Sequence, residues 1–203
     1  MTIGVVDYQA GNLKSVETAL RFLGADFFIS QNPLKLLSAQ KLIFPGVGEA
    51  HTAMQVLKKT GIDKALISFF KSGKPVLGIC LGSQVILESS EERNTECLGI
   101  VKGRVYCFNR KKGFKVPHMG WNQVFHYMRH ALFRDIADGA SFYFVHSFYP
   151  DPRPREVVIA ETDYIKTFTS GLALDNLVAV QFHPEKSGKQ GLKFLDNFIN
   201  WKC

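Results

Sequence analysis

The chain opens with short apolar runs separated by longer segments in which apolar residues recur every three or four positions. Residues 3–6 form such a run and are followed by helical spacing over 13–23; residues 42–44 are followed by 53–58 and 62–71. Short apolar runs suit strands buried on both faces, and their alternation with helical segments is the rhythm of βαβ units. The clearest unit has a strand over 75–79, Cys80 at its carboxyl end and a helix predicted over 81–89. From 98 to about 180 the pattern changes to strand-like runs at 100–108, 123–126, 142–145, 157–160 and 177–180, punctuated by Gly, Pro and Asp. This half predicts sheet, partly antiparallel. Residues 188–201 return to helical spacing through Leu192, Leu195, Phe198 and Ile199, which would pack one face on the sheet. With no repeat and no linker, the expectation is a single α/β domain over 1–203, a mixed, mostly parallel central sheet flanked by helices.

Composition narrows the class. At 203 residues and 46% hydrophobic content the chain can bury a sizeable core. The opening MTIGVVDYQAGNLKS lacks a basic segment leading into an apolar stretch, and no 18 successive residues are apolar, so a cytoplasmic protein away from the membrane is expected. Cys80, Cys97, Cys107 and Cys203 include no CxxC pair and are expected to be reduced. The net charge is +7, but the largest basic cluster, Arg110 to Lys112, adjoins Gly113 and reads as a solvated loop. Zinc-finger spacing, aromatic RNA-binding boxes and basic amphipathic helices are all missing, so nucleic acid is not an expected partner.

In GICLG (78–82) glycines flank Cys80 two residues away on each side, the pattern of a nucleophile elbow with cysteine in place of serine. A sharp strand-to-helix turn brings two backbones together, so side chains at Gly78 and Gly82 would collide and Cys80 would be lifted clear of the sheet. There the sulfur faces the amino end of the following helix, whose free N–H groups favour a thiolate. A tight packing site would also show glycines around a small cysteine, so the partners decide the reading.

In VAVQFHPE (178–185) an apolar strand ends at His183, and Glu185, two residues on, would point the same way in extended chain. A carboxylate on one imidazole nitrogen fixes the tautomer and leaves the other nitrogen to take a thiol proton and return it to a leaving amine. Cys80, His183 and Glu185 thus make a complete catalytic set. Thiolate attack on an amide creates an oxyanion, and PGVG (45–48), after another buried strand, supplies backbone N–H groups for it together with Leu81. His51, His126 and His130 have no second ligand at metal spacing, so neither a metal nor a cofactor is expected.

PGVG, GICLGSQ and QFHPE, in that order, resemble the class I (triad) glutamine amidotransferases across nearly the full chain. The resemblance implies that fold, with Cys80 as nucleophile, His183 as base, Glu185 as its orienter, Gln84 as a contact to glutamine, and Val47, Gly48 and Leu81 at the oxyanion. Within the family, VVDYQAGNLKSV, PHMGWN (117–122) and YFVHSF (143–148) are similar to the glutaminase subunits of imidazole glycerol phosphate synthase. That implies histidine biosynthesis, a separate (βα)8-barrel cyclase subunit as heterodimer partner, Ser147 and Phe148 at the amino-acid end of glutamine, and a partner-facing loop of Pro117, His118, Met119, Trp121 and Asn122. The PGVG peptide would act as a gate. Ser83 departs from the methionine commoner at its position. The alternatives are a paralogous glutaminase for surface-sugar amidation, a cysteine hydrolase without ammonia transfer, and a silent binding subunit.

Overall fold

The computed structural model describes every residue except 10–12, 127–129 and 154. Residues 10–12, within the VVDYQAGNLKSV segment, lie outside this description. The first half of the chain alternates β1 (Thr2–Val6), α1 (Lys14–Phe22), β2 (Asp26–Ser30), α2 (Pro33–Leu37), β3 (Lys41–Gly46), α3 (Ala50–Thr60), α4 (Ile62–Lys71), β4 (Val76–Cys80) and α5 (Leu81–Val85). Asn32 caps α2 by accepting from the Leu34 and Lys35 N–H groups, with Pro33 in the first turn. Gly61, at φ 74°, closes α3 and lets α4 begin at once. The second half contains β5 (Ser89–Ser90), β6 (Thr95–Glu96), β7 (Gly103–Cys107), β8 (His118–Val124), β9 (Ala140–His146), β10 (Phe148–Pro152), β11 (Val158–Asp163), β12 (Thr167–Leu174), β13 (Leu177–Val180) and α6 (Gly188–Asn200).

Seven strands form the central sheet in the order β11-β12-β13-β4-β3-β1-β2. The run from β13 to β2 is parallel, and β12 and β11 add an antiparallel edge. Alternation along the strands builds two cores. Ile43, Leu77, Ile79, Val178 and Val180 go to one face with α1 and α6; Leu42, Phe44, Val76, Leu177 and Ala179 go to the other with α2, α3 and α4. A smaller sheet, β10-β7-β5-β6, and the β8-β9 ribbon complete the architecture. Among the described residues no helix is long and apolar enough to cross a membrane.

Several expectations are corrected. The helix expected over 81–89 stops at Val85, because the carbonyls of Val85, Ile86 and Leu87 are taken by N–H groups of Leu98, Gly99, Ile100 and Val101 instead of by a further turn. PHMGWN, read as a loop, supplies the start of β8, and the strand expected at 123–126 begins five residues earlier. His118, placed with the partner-facing residues, is buried, whereas Met119 and Trp121 on the same strand point outward. Strands β2, β5, β6, β10 and β12 and helix α2 are additional to the elements read from the pattern.

Candidate active site

The sheet order sets the carboxyl ends of β3, β4 and β13 side by side. In the parallel register Gly46 stands opposite Cys80 and Val180 opposite Ile79, so PGVG, GICLG and QFHPE meet at one edge. Ligand sites of α/β sheets gather at such an edge.

Cys80 ends β4 at φ 53°, ψ −106°, a backbone conformation that non-glycine residues rarely adopt. Surrounding contacts hold it there. The flanking glycines are required, though not by contact of their side chains with each other: a Cβ on Gly82 would lie 2.1 Å from the Phe44 carbonyl oxygen of β3, and one on Gly78 would lie 3.0 Å from the Gly82 carbonyl oxygen. Ser83, where the family more often has methionine, is fully buried and its Oγ donates to the Cys80 carbonyl at 2.7 Å, so the hydroxyl is satisfied and ties down the turn.

His183 follows β13 and is 1% exposed. Its Nδ1 stands 2.7 Å from Glu185 Oε1, its N–H donates to the Tyr143 carbonyl, and its carbonyl accepts from Ser187 Oγ at 2.6 Å. Glu185 reaches the ring from a 3₁₀ turn over Pro184–Lys186 rather than from extended chain. Among the described residues no hydrogen-bond partner of ordinary geometry meets His183 Nε2. Burial by itself would lower the His183 pKa; the negative charge of Cys80, with Glu185 behind the ring, reverses this and holds it up at about 10. The arrangement can keep a proton on the imidazole.

A pocket of about 250 Å³ opens over the sulfur, lined by Val47, Gly48, Cys80, Leu81, Gln84 and Glu92 on one side and by the 145–148 segment and Pro117 on the other. All six residues expected around substrate and oxyanion are therefore brought together: Val47, Gly48, Leu81, Gln84, Ser147 and Phe148. Gln84 Nε2 donates to the Phe148 carbonyl at 2.9 Å and to Gln181 Oε1 at 3.0 Å, so both amide hydrogens are engaged and only Oε1 is left to meet a ligand. Of the residues expected to face a partner, Pro117 lines the pocket, Met119 and Trp121 are 63% and 58% exposed, Asn122 is half-buried, and His118 is inside.

The sequence reading did not place Val145 and His146 in the pocket wall, and it also missed Glu92 and Gln181. Glu92 borders the pocket with its Oε2 accepting from the Ala50 N–H at 2.6 Å, and burial raises its pKa. Gln181 Nε2 donates to Cys80 Sγ at 3.6 Å. For Gln181 a signal existed: a polar residue inside the apolar run of QFHPE, fully buried in the fold. Glu92 stands in a charged turn that nothing in the pattern links to Cys80. The other cysteines are free and none of them lines this pocket; burial pushes the Cys97 thiol up to about 12 and also raises that of Cys107. Among the described residues no group of three or more His, Cys, Asp or Glu is arranged to hold a metal ion.

Comparison with known proteins gives the site its context. The family model described as glutamine amidotransferase class-I matches residues 4–201. The chain is 46% identical over 198 residues to the imidazole glycerol phosphate synthase subunit HisH of Dehalococcoides mccartyi (strain CBDB1), covering 97% of this chain and 96% of that one. It is 46% identical over 201 residues to the subunit of the same name from Bacteroides fragilis (strain YCH46), covering 98% and 99%. The solved structure of PurLQS from Thermotoga maritima superposes with a TM-score of 0.77 at 17% identity, over 98% of this chain and 97% of that one. A glutamine amidotransferase structure from the same organism gives 0.67 at 19% identity, over 96% and 80%. At these identities the two structures speak for the fold alone.

Proposed function

This chain belongs to the class I glutamine amidotransferases, and from that premise we propose that it is the glutaminase subunit of an imidazole glycerol phosphate synthase, releasing ammonia from glutamine for histidine biosynthesis. The observation that carries the chemistry is the convergence of Cys80, His183 and Glu185 at adjacent strand ends, with the His183–Glu185 contact at 2.7 Å and the Cys80 charge acting on the same imidazole. Near-full-length identity of 46% to subunits of that synthase supports the pathway.

The Cys80 thiol passes its proton to His183 Nε2, and the thiolate attacks the side-chain amide carbon of glutamine, forming a C–S bond and an oxyanion. Leu81 N–H, at the start of α5, is one donor to that oxygen, and the Val47–Gly48 peptide is the second. As the tetrahedral intermediate collapses, the C–N bond breaks and His183 gives its proton to the departing nitrogen, which leaves as ammonia. Water then attacks the thioester while His183 accepts one of its protons; the C–S bond breaks, glutamate leaves and the thiol is restored. Glu185 keeps the imidazole in one tautomer and stabilises its protonated form. At the other end of the substrate, Gln84 Oε1 and the Glu92 carboxylate suit an ammonium group, with Ser147 and Phe148 forming the opposite wall.

Ammonia lost to water is protonated and useless as a nucleophile, so a receiving site is needed; the likeness to imidazole glycerol phosphate synthase subunits implies that the partner is a (βα)8-barrel cyclase, in a cytoplasmic heterodimer. Met119 and Trp121, exposed on β8 beside Pro117 of the pocket rim, are the proposed docking side. Gly48, at φ 96°, allows its peptide to turn an N–H or a C=O toward the oxyanion, which gives the partner a step to control. The test is glutamate release by the chain alone, with the cyclase, and with cyclase plus its ribonucleotide substrate. Release that rises across the three supports the proposal; equal rates in all three contradict gating, and activation only by a sugar-amidation partner reassigns the pathway.

A further inference from the structure

At the pocket wall, where His146 is one of the lining residues, His118 and His146 face each other as a cross-strand pair of β8 and β9, 3% and 5% exposed. His118 Nδ1 lies 3.0 Å from His146 Nε2, His146 Nδ1 lies 2.8 Å from the Phe148 carbonyl oxygen, and Asn122 Nδ2 lies 3.3 Å from His118 Nε2. The proton positions follow from the Phe148 end. A carbonyl only accepts, so His146 Nδ1 carries the hydrogen; its Nε2 then accepts in the neutral ring, so His118 Nδ1 donates, and His118 Nε2 accepts from the Asn122 amide. The other end agrees, because Asn122 Oδ1 accepts from the Gln123 N–H and Asn122 Nδ2 donates to the Asp163 carbonyl, both at 2.8 Å. Burial lowers the pKa of His118 to about 4 and that of His146 to about 3, so both rings are neutral at physiological pH, as this polarity requires.

Packing alone gives no reason for imidazoles here. His118 is stacked on Tyr164 at 4.0 Å and on Phe144 at 4.9 Å, and His146 lies against Phe108, Phe144 and Phe168. Phenylalanine would fill either place without burying polar atoms. What the imidazoles add is a fixed donor on the Phe148 carbonyl, the same oxygen that receives Gln84 Nε2. That carbonyl and the Gln84 side chain both belong to the pocket wall.

We propose that His118 and His146 are positioning residues of the glutamine pocket, carrying one hydrogen-bond polarity from Asn122 through both rings to the Phe148 carbonyl and thereby fixing the 146–148 segment and Gln84 against the substrate. This rests on the glutaminase reading. The relay also joins the pocket to β8, the strand whose outer face carries Met119 and Trp121.

The test is steady-state glutamine hydrolysis by the chain with its cyclase partner, comparing wild type, His146→Phe, His146→Asn and His118→Phe. Loss of this donor takes one of the two hydrogen bonds from the part-buried Phe148 carbonyl and leaves the other, from Gln84, to hold it alone, so His146→Phe is expected to raise the KM for glutamine ~10-fold or more while kcat stays nearly unchanged. His146→Asn, which keeps an N–H near the Nδ1 position, recovers most of that loss, and His118→Phe shifts KM the same way by less. An unchanged KM in His146→Phe, or equal defects in His146→Phe and His146→Asn, overturns the proposal. A second measurement needs no variant: ¹⁵N spectra of the wild-type imidazoles at neutral pH are expected to show both rings as Nδ1–H tautomers, and an Nε2–H tautomer on either ring overturns the relay. A wild-type complex that releases no glutamate would instead sink the glutaminase reading, whatever the spectra show.

Discussion

The carboxamide of Gln181 donates through Nε2 to the sulfur of Cys80 at 3.6 Å while its Oε1 accepts from Gln84 at 3.0 Å. One buried side chain therefore ties the proposed nucleophile to the glutamine proposed to face the substrate. An N–H aimed at the sulfur favours negative charge there. Gln181→Leu removes that donor and leaves a Gln84 hydrogen unpaired, so kcat/KM for glutamine should fall roughly 10–100-fold, the usual cost of a hydrogen bond to a charged group. Hydrolysis assays with the partner subunit check this, and wild-type kinetics in the variant would show that the contact is incidental.

Gly82 is held against β3 so closely that no side chain fits, with 2.1 Å between an ideal Cβ and the Phe44 oxygen. Gly82→Ala must push α5 away from the sheet, an overpacking that costs about 1–3 kcal/mol, and it displaces Cys80 and the Leu81 N–H together. Urea unfolding should show the loss of stability and activity assays a near-complete loss of glutaminase; an unchanged midpoint would mean that the elbow has slack.

In the proposed mechanism Cys80, His183 and Glu185 act as one unit, so their losses should not add. His183→Ala is expected to match Cys80→Ala, because without the imidazole the thiol keeps its proton and the leaving nitrogen receives none. Glu185→Gln should be milder, since it keeps the ring in place but removes the charge that favours its protonated form. Double variants measured alongside the singles decide the matter; a product of two large independent losses would break up the unit.

Buried histidines predict an acid-side decline in stability. His118 and His146 have folded pKa values of about 4 and about 3, below the usual ~6.5, and burial lowers that of His130 as well. Between 6.5 and these values the unfolded chain binds more protons, so stability is present above about pH 6.5 and is lost as pH falls toward 4. His183, raised to about 10, works in the opposite sense, its contribution being full below 6.5 and lost as pH rises toward 10. Tm should therefore fall from pH 6.5 to 5, and His146→Phe should flatten that slope; a Tm that is level across this range would contradict the burial of neutral rings.

How much of this was legible in the sequence depended on how local the signal was. GICLG, PGVG and QFHPE each carry their chemistry within a few residues, and buried parallel strands announce themselves as apolar runs. The elbow glycines were legible as glycines, but the Phe44 carbonyl that confines Gly82 belongs to a strand far away in the chain. The β8 strand was misread because its pattern is inverted: Met119 and Trp121 face out while His118 goes in, so apolar residues mark the wrong side and Pro117 and Gly120 look like turn punctuation. Residues 85–87, apolar throughout, fit a buried helix or an extended segment equally well, and only the capture of their carbonyls by 98–101 decides. Glu92 and the His118–His146 contact exist only in three dimensions.

The central claim is that Cys80 attacks glutamine and that ammonia then serves a separate site on the partner. Glutamate release and product formation should be measured in one preparation of the Cys80→Ala chain with the cyclase, first with glutamine and then with ammonium salt. Loss of a triad nucleophile can remove about 10⁶-fold in rate, so glutamate release should vanish and glutamine-dependent synthesis with it, while ammonium-dependent synthesis continues at the wild-type rate. Glutamate release by Cys80→Ala at more than a small fraction of the wild-type rate would contradict the covalent mechanism.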